Sequence, residues 1–204
     1  AAAREAQVIL QPISFETFLA RLKDVRHSET FRNHLDEFEN YLEVNGRLPR
    51  WKSLLEVVNC RGSLKEVASG AYMCPNTGGS YRHRRAKFFG PYAHKKVATI
   101  YEIDAVVAVD TNLSDVRLKW KNTETSAAIY RDMAINFIKS TNGRLEENKT
   151  IPLLVFILSN GTDTNFVKKS AGGMFQSKKY FTNLAAGCLS AKELAEKLKD
   201  QAWE

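Results

Sequence analysis

The sequence predicts an α/β (α+β) fold, in which a helical N-terminal part is followed by a mixed β-sheet flanked by helices. Three patterns indicate this fold: apolar residues recur at helical spacing over 14–45, apolar and polar residues alternate over 96–121, and an uncharged apolar run occupies 151–158. The chain has 204 residues, of which 44% are hydrophobic and 10% aromatic, so it can bury a core of its own.

The helical part begins with two amphipathic segments. Ser14 can cap the first helix and Ser28 the second, because a serine hydroxyl accepts a hydrogen bond from the unpaired amides of the first turn. The second helix is expected to end at Asn45-Gly46, a pair that favours the left-handed conformation of a helix end. Its apolar residues recur at helical spacing: Phe31, Leu35, Phe38 and Leu42.

Residues 49–72 extend this helical prediction. Pro49 suits the first turn of a helix over RWKSLLEVV, and SLKEVASGAY predicts another short helix before the turn-rich stretch MCPNTGGS. Three regions follow from this pattern. They are a helical part over 1–72, a basic connecting segment over 73–96, and an α/β domain over 97–204.

The positive charge of the chain is concentrated around the connecting segment. The net charge is +7, yet residues 1–66 contain ten basic and ten acidic residues, and residues 102–204 contain fourteen and thirteen. Residues 67–101 contain six basic residues and no acidic residue. Cations without neighbouring acids attract phosphates, so this segment is a candidate nucleic-acid-binding site.

Aromatic residues are interleaved with these cations, and such rings can stack on unpaired bases. Two alternatives stay open: a solvated basic loop whose rings cover the neighbouring core, and a loop that docks on an acidic protein partner. A membrane-surface helix is disfavoured by the break at Gly90-Pro91, and no apolar run approaches the length of a membrane span. The nucleic-acid-binding candidates are Arg82, Arg84, Arg85, Lys87, Lys95, Lys96, Tyr81 and Phe88.

The last region alternates strands and helices. β-Branched residues and alternation predict a hairpin, and the apolar run of TIPLLVFILSN predicts a central strand that is buried on both faces. Ser190 can cap the last helix. The predicted elements are strands over 96–110, 115–122 and 150–160, and helices over 125–144, 164–183 and 190–203.

The predicted hairpin carries the candidate catalytic residues. Side chains alternate along a strand, so Glu102 and Asp104 share one face, while Arg117, Lys119 and Lys121 share a face of the return strand. Carboxylates bind hard cations such as Mg²⁺, the metal activates water, and a lysine stabilises charge that develops on phosphorus. The simpler alternative is pairing of opposite charges across a hairpin, which contributes roughly a few tenths of a kcal/mol.

The order of these elements resembles the core of the PD-(D/E)xK nuclease superfamily over residues 97–160. The resemblance is carried by EIDAVV (102–107), RLKWKN (117–122), the helix from Thr125 and LLVFIL (153–158). It implies a restriction-endonuclease-like core that uses Mg²⁺ or Mn²⁺. It also implies that Asp104 is a metal ligand and that Lys119 is the lysine of the second motif.

One position departs from the pattern of this superfamily. Arg117 stands two residues before Lys119, where the second acid is expected. Glu102 and Glu124 are near enough in sequence to replace that acid, and Lys121 is the alternative lysine. The expected function is nucleic-acid binding with metal-dependent endonucleolytic cleavage, and the alternative is a non-catalytic DNA- or RNA-binding component of a larger assembly.

The three cysteines are widely spaced, which excludes a disulfide framework and favours a reducing, intracellular compartment. A zinc site is disfavoured because the candidate ligands fit no common spacing: Cys60, Cys74, His83 and His94. The expected partner is DNA or RNA, with no membrane. Protein partners or self-association are also compatible with the sequence.

Overall fold

The computed structural model describes the chain in two units. Contacts cluster into Ala1–Arg50 and Trp51–Glu204, so the division falls well before residue 72, where the sequence places the end of the helical part. The described residues are 13–23, 25, 28–44, 47–174 and 177–204.

The first unit contains helices α1 (Phe15–Lys23) and α2 (Glu29–Val44). Lys23 Nζ lies 2.5 Å from a carboxylate oxygen of Glu39. The predicted helix end at Asn45-Gly46 lies outside the described residues. A small apolar core joins the two helices: Leu19, Leu35 and Leu42, with Leu22, Phe38 and Leu48 packed against them.

The second unit is built on an eight-stranded mixed sheet in the order β2-β6-β4-β3-β1-β7, with β5 paired to β4 and β8 paired to β6. Most neighbouring strands are antiparallel, while β1–β3 and β6–β8 are parallel. The strands are β1 Leu55–Asn59, β2 Ala71–Pro75, β3 Phe88–Ala93, β4 Lys96–Val109, β5 Val116–Lys121, β6 Leu153–Lys168, β7 Lys178–Phe181 and β8 Ala202–Trp203.

Helices flank this sheet and cover separate parts of it. Helix α6 packs against β4 and β6, and helix α4 packs against β4, β5 and β6, so the fold is α+β. The helices of this unit are α3 Leu64–Ala68, α4 Ala127–Ser140, α5 Arg144–Asn148 and α6 Ala191–Leu198.

Strand β4 positions the residues of the candidate site. It pairs with β6 along one edge, and on the other edge it pairs first with β3 and then with β5. Three register shifts interrupt its pairing with β6, the last between Ile103 and Ala105. Such irregularities bend a strand and increase its twist, so the sheet curls.

The predicted elements of the α/β domain are confirmed for β4, β5, α4 and β6. The last helix is confirmed only over its first part, because α6 ends at Leu198 and Ala202–Trp203 form β8. The hydroxyl of Ser190 accepts a hydrogen bond from the amide of Glu193, as expected for the cap of α6. The helix predicted over 164–183 is wrong, because β6 continues to Lys168 and β7 begins at Lys178.

The region over 50–96 also differs from its prediction. Residues 55–59 form a strand rather than a helix, because Leu55 and Val57 pack in one core cluster while Leu54 and Val58 pack in another. Strands β2 and β3 likewise belong to the sheet. The segment 73–96 is therefore part of the domain and not a connection between domains.

Candidate nucleic-acid interface

A basic loop, residues 82–87, crosses from a short 3₁₀ turn at Gly79–Tyr81 to the start of β3. Its side chains divide into two groups. Arg82, Arg84 and Arg85 are exposed, whereas the side chain of His83 and the whole of Ala86 are buried. The loop therefore displays its cations from a backbone that is fastened to the core.

The first group that holds the loop to the core is the imidazole of His83. Its Nδ1 lies 2.6 Å from Oε1 of Glu56, and the two side chains are 2% and 0% exposed. The hydroxyl of Tyr180 donates to the same carboxylate oxygen at 2.6 Å, and His83 Nε2 lies 3.5 Å from the sulfur of Cys74. The imidazole also meets the ring of Phe156 edge-on at 4.8 Å.

The second group that holds the loop is the amide of Asn122, at the end of β5. Its Nδ2 donates to the carbonyls of Ala86 and Ile103 at 2.8 and 2.7 Å, which ties the loop to β4. Its Oδ1 accepts from Arg85 Nε at 3.0 Å, and Arg85 Nη2 donates to the carbonyl of Lys121 at 2.6 Å. Sequence analysis did not identify Asn122, since an asparagine after a strand is usually a turn residue.

The guanidinium of Arg85 also stacks on an aromatic ring. It lies 3.9 Å from the centre of the indole of Trp51, and Lys52 Nζ lies 5.4 Å from the same ring. Arg84 lies over the ring of Tyr180 at 5.4 Å. Trp51 is half-buried beside the basic loop, whereas its two basic neighbours in sequence favour a core anchor with charged flanks over a base-stacking platform.

The cations of this surface are close enough to repel one another. Burial lowers the pKa of Lys52, and the charges of Lys87 and Arg85 lower it further. Within the described part of the chain, no carboxylate lies within ion-pair distance of Arg84, Arg85 or Lys87. Such a group of cations attracts anions.

The other predicted binding residues have different environments. Phe88 is completely buried in the core, so its ring presents no face to a base. Lys95 and Lys96 are exposed at the turn between β3 and β4, which is the far end of β3 from Lys87. Tyr81 is 38% exposed and stays adjacent to the basic loop.

The two predicted metal-binding carboxylates lie on β4 and accept hydrogen bonds. Glu102 accepts with one oxygen from the amide of Ala191 at 2.8 Å and with the other from Asn160 Nδ2 at 3.2 Å. Asp104 Oδ1 accepts from the hydroxyl of Ser159 at 2.6 Å. Burial raises the pKa of Asp104, the hydrogen bond from Ser159 lowers it, and the charge of Glu102 raises it.

The cations of β5 are engaged elsewhere. Lys121 Nζ donates to the carbonyls of Glu124 and Thr125 at 3.3 and 3.0 Å, and Arg117 pairs with Asp115 at 2.8 Å. Lys119 and Glu124 are exposed. None of these cations forms an ion pair with Glu102 or Asp104 in the part of the chain that the structure describes.

A register shift explains part of this difference. The pairing of β4 with β5 shifts between Val106 and Val107, so β5 does not alternate regularly. Leu118 consequently packs with one core cluster and Trp120 with another, although strict alternation would place them on the same face. The predicted common face of the β5 cations is therefore wrong.

The described residues do not form a metal-binding cluster. No group of three or more His, Cys, Asp or Glu side chains among them is placed to hold a metal ion. Glu102 has both oxygens occupied by N–H donors, and Asp104 has one oxygen occupied. These residues do not fit the ligand set that the nuclease resemblance implies.

Comparisons with known proteins give one similar structure. No family model matches the chain, and no curated protein matches it. The crystal structure of ASCH from Zymomonas mobilis is similar with 15% sequence identity and a TM-score of 0.39, over 76% of this chain and 100% of that chain. No helix among the described residues has the length and apolar character needed to cross a membrane.

Proposed function

We propose that the protein binds nucleic acid through the basic loop together with Trp51 and Lys52. The observation that carries this proposal is that Arg82, Arg84 and Arg85 are exposed, form no ion pair with a carboxylate among the described residues, and are held on a fixed backbone. Lysine and arginine side chains neutralise phosphates and release the counterions that surround them.

The fastening of the loop favours a binding role over a simple solvated loop. His83 and Asn122 fix the loop from the core side and from β4, so little backbone freedom remains to be lost when a ligand binds. Exposed loops that serve only as connections do not require buried polar anchors, and burial of a polar side chain such as Glu56 is costly.

The stacked pair of Arg85 and Trp51 favours nucleic acid over an acidic protein partner. A guanidinium plane and an indole both provide flat faces on which bases stack, and a protein carboxylate has no use for such a platform. An acidic protein partner would bind the cations of the loop but would not stack on the guanidinium of Arg85 or the indole of Trp51.

The proposal is tested with a variant that combines Arg82→Ala, Arg84→Ala and Lys87→Ala. Arg85 is left intact because it also binds Lys121 and Asn122. We expect the variant to bind fluorescein-labelled RNA and DNA oligonucleotides at least 10-fold more weakly at low salt, because each lost cation removes a phosphate contact. Fluorescence anisotropy measures the affinity.

The matched control removes the same number of charges elsewhere. Lys65, Arg131 and Lys139 are exposed on α3 and α4, and their combined replacement by alanine lowers the net charge equally. We expect its affinity to stay within about twofold of the parent protein. Equal loss in both triple variants would show that only the net charge matters and would contradict a binding surface at the basic loop.

Metal-dependent cleavage is a second hypothesis, and it rests on the resemblance of residues 97–160 to PD-(D/E)xK nucleases. The proximity of Glu102 and Asp104 supports it, whereas the hydrogen bonds that occupy Glu102 weigh against it. Incubation of plasmid and single-stranded substrates with Mg²⁺ or Mn²⁺ tests it. Cleavage that Asp104→Ala abolishes would support the nuclease site, and cleavage that survives this change would exclude it.

A further inference from the structure

We infer that Asp104 determines base preference, by accepting a hydrogen bond from an amino group of an unpaired base bound beside the basic loop. The ligand class is single-stranded nucleic acid that contains adenine, cytosine or guanine. This inference rests on the proposed function and adds to it a residue that selects the base rather than the backbone.

The carboxylate of Asp104 is held by a protein donor. It is partly exposed, and Ser159 holds Oδ1 at 2.6 Å, which fixes its orientation. Among the described residues, Oδ2 has no hydrogen-bond donor and the carboxylate has no cation partner. Its pKa is raised chiefly by burial, as expected for a carboxylate that lacks compensating donors. One acceptor position is therefore available to a ligand.

The main chain of Asp104 is connected to the basic loop. Asp104 lies on β4 where pairing passes from β3 to β5, and its carbonyl accepts from the amide of Asn122 at 2.8 Å. Asn122 in turn binds Arg85 and Ala86. The adjacent residue Ile103 donates its amide to the carbonyl of Lys87 at 2.8 Å.

A second connection runs through the main chain at the start of α6. Lys87 Nζ donates to the carbonyl of Leu189 at 2.7 Å, and Glu102 accepts from the amide of Ala191 at 2.8 Å. The ammonium group of Lys87 and the carboxylate of Glu102 thus bind main-chain groups that are two residues apart at the start of α6. Glu102 is also close enough to Asp104 for its charge to raise the pKa of Asp104. The backbone of Asp104 and the side chain of its neighbour Glu102 are thus both connected to residues of, or bound by, the basic loop.

A carboxylate at this position can bind only some of the bases. A carboxylate repels phosphate, so the part of the ligand over Asp104 is a base and not the backbone. Carboxylates accept hydrogen bonds from exocyclic amino groups of bases. Uracil and thymine have no amino group, and their single ring N–H is flanked by two carbonyl oxygens that a carboxylate repels. Asp104 therefore favours amino-bearing bases.

The position also excludes a duplex as the preferred ligand. Recognition of base edges in duplex grooves uses a helix or ribbon that projects into the groove. Asp104 is partly buried on a strand between two neighbouring strands, so only an unpaired base that is splayed onto the surface can meet it. The Arg85–Trp51 stack offers the platform for a neighbouring base.

The test compares homopolymeric 12-mers of adenine, cytosine and uracil in RNA, and of adenine, cytosine and thymine in DNA. We expect the parent protein to bind the adenine and cytosine oligonucleotides about 10-fold more tightly than the uracil and thymine ones. Asp104→Ala is expected to bring this ratio close to one without weakening the binding of uracil or thymine oligonucleotides. A role in folding alone would weaken all six equally.

Two further variants sharpen the result. Asp104→Asn keeps the size of the side chain and adds an N–H donor, which can bind the carbonyl oxygens of uracil and thymine, so we expect the ratio to move towards these bases. Asp132→Asn is the matched control, because Asp132 is an exposed carboxylate on α4 that forms no part of the proposed base position. We expect it to keep the base preference of the parent.

The outcomes separate the inference from the proposed function. Binding of all oligonucleotides with a ratio that is the same in the parent and in Asp104→Ala would overturn the role of Asp104 and leave the proposed function intact. Failure of the parent to bind any oligonucleotide at low salt would overturn both. Loss of the base preference in Asp104→Ala alone supports the inference.

Discussion

His83 is enclosed by groups that hold its ring through both nitrogens. Nδ1 meets a fully buried carboxylate oxygen of Glu56, and Nε2 faces the sulfur of Cys74. The second oxygen of Glu56 is buried and has no hydrogen-bond partner in the described part of the chain. The imidazole and the hydroxyl of Tyr180 are therefore the two groups that contact the carboxyl of Glu56, and removal of the imidazole takes one of them away from a fully buried polar side chain.

We predict that His83→Ala lowers the free energy of unfolding by about 3 kcal/mol, because it opens a cavity and removes a hydrogen-bond partner from buried Glu56. Urea denaturation followed by circular dichroism measures this change. His94→Asn is the control: His94 is exposed in a turn at φ 51°, a conformation that asparagine tolerates, and we expect little change. Equal stability of His83→Ala and the parent would refute the anchoring role of His83.

Asp104 links stability to pH. Its pKa is raised above the ordinary value of 3.8, so the folded state binds the proton more tightly than the unfolded state does. The resulting stabilisation is fully present below pH 3.8 and is lost as the pH rises through the raised pKa. At neutral pH the ionised carboxylate therefore costs stability that a neutral side chain does not.

We predict that Asp104→Asn raises the free energy of unfolding at pH 7 and that this gain shrinks as the pH falls towards 3.8. Urea denaturation of both proteins across this range measures the difference. A gain that grows on acidification would have the opposite sign and would mean that the pKa of Asp104 is lowered by folding.

At the scale of elements, local patterns identified the strands whose neighbours lie close in sequence. The hairpin of β4 and β5 and the apolar strand β6 follow from alternation and β-branching. Strand β1 escaped prediction because it pairs with β3 and β7, and its apolar residues face two core clusters, which gives a run without strand periodicity. Pairing between distant segments decides such cases.

The candidate site, like the fold, could be predicted from the sequence only in part. The cluster of cations was visible in the sequence, but Asn122 and Glu56 were not, because their roles depend on contacts across 36 and 27 residues. The faces of β5 were mispredicted because a single register shift reverses the alternation of side chains.

The contact of β3 with its neighbours gives a prediction at this scale. A Cβ added to Gly90 would lie 3.1 Å from Val97 Cγ1 and 3.2 Å from Val57 Cγ2, both in the core. We expect Gly90→Ala to destabilise the protein by about 1–3 kcal/mol, since the strands must separate slightly. Thermal denaturation measures this effect, with Gly62→Ala as the control because no atom lies within 4 Å of its added Cβ. An unchanged melting temperature for Gly90→Ala would contradict the close packing of β1, β3 and β4.

At the scale of the whole molecule, the distribution of charge governs how the protein meets its ligand. Almost all of the net charge of +7 arises in residues 67–101, and the structure gathers the cations of the basic loop with Lys52. A localised group of cations produces binding that weakens steeply with salt, since each contacted phosphate releases its counterions. The slope of this dependence counts the contacts, which makes it more informative than a single affinity.

The salt dependence of oligonucleotide binding therefore tests the central claim most directly. We predict that the slope of log affinity against log salt for a single-stranded oligonucleotide is smaller by about two in the variant that combines Arg82→Ala, Arg84→Ala and Lys87→Ala, since each phosphate contact on a single strand contributes about 0.7. The Lys65, Arg131 and Lys139 control should keep the slope of the parent. The same slope in the parent and the basic-loop variant would contradict the claim that this surface binds nucleic acid.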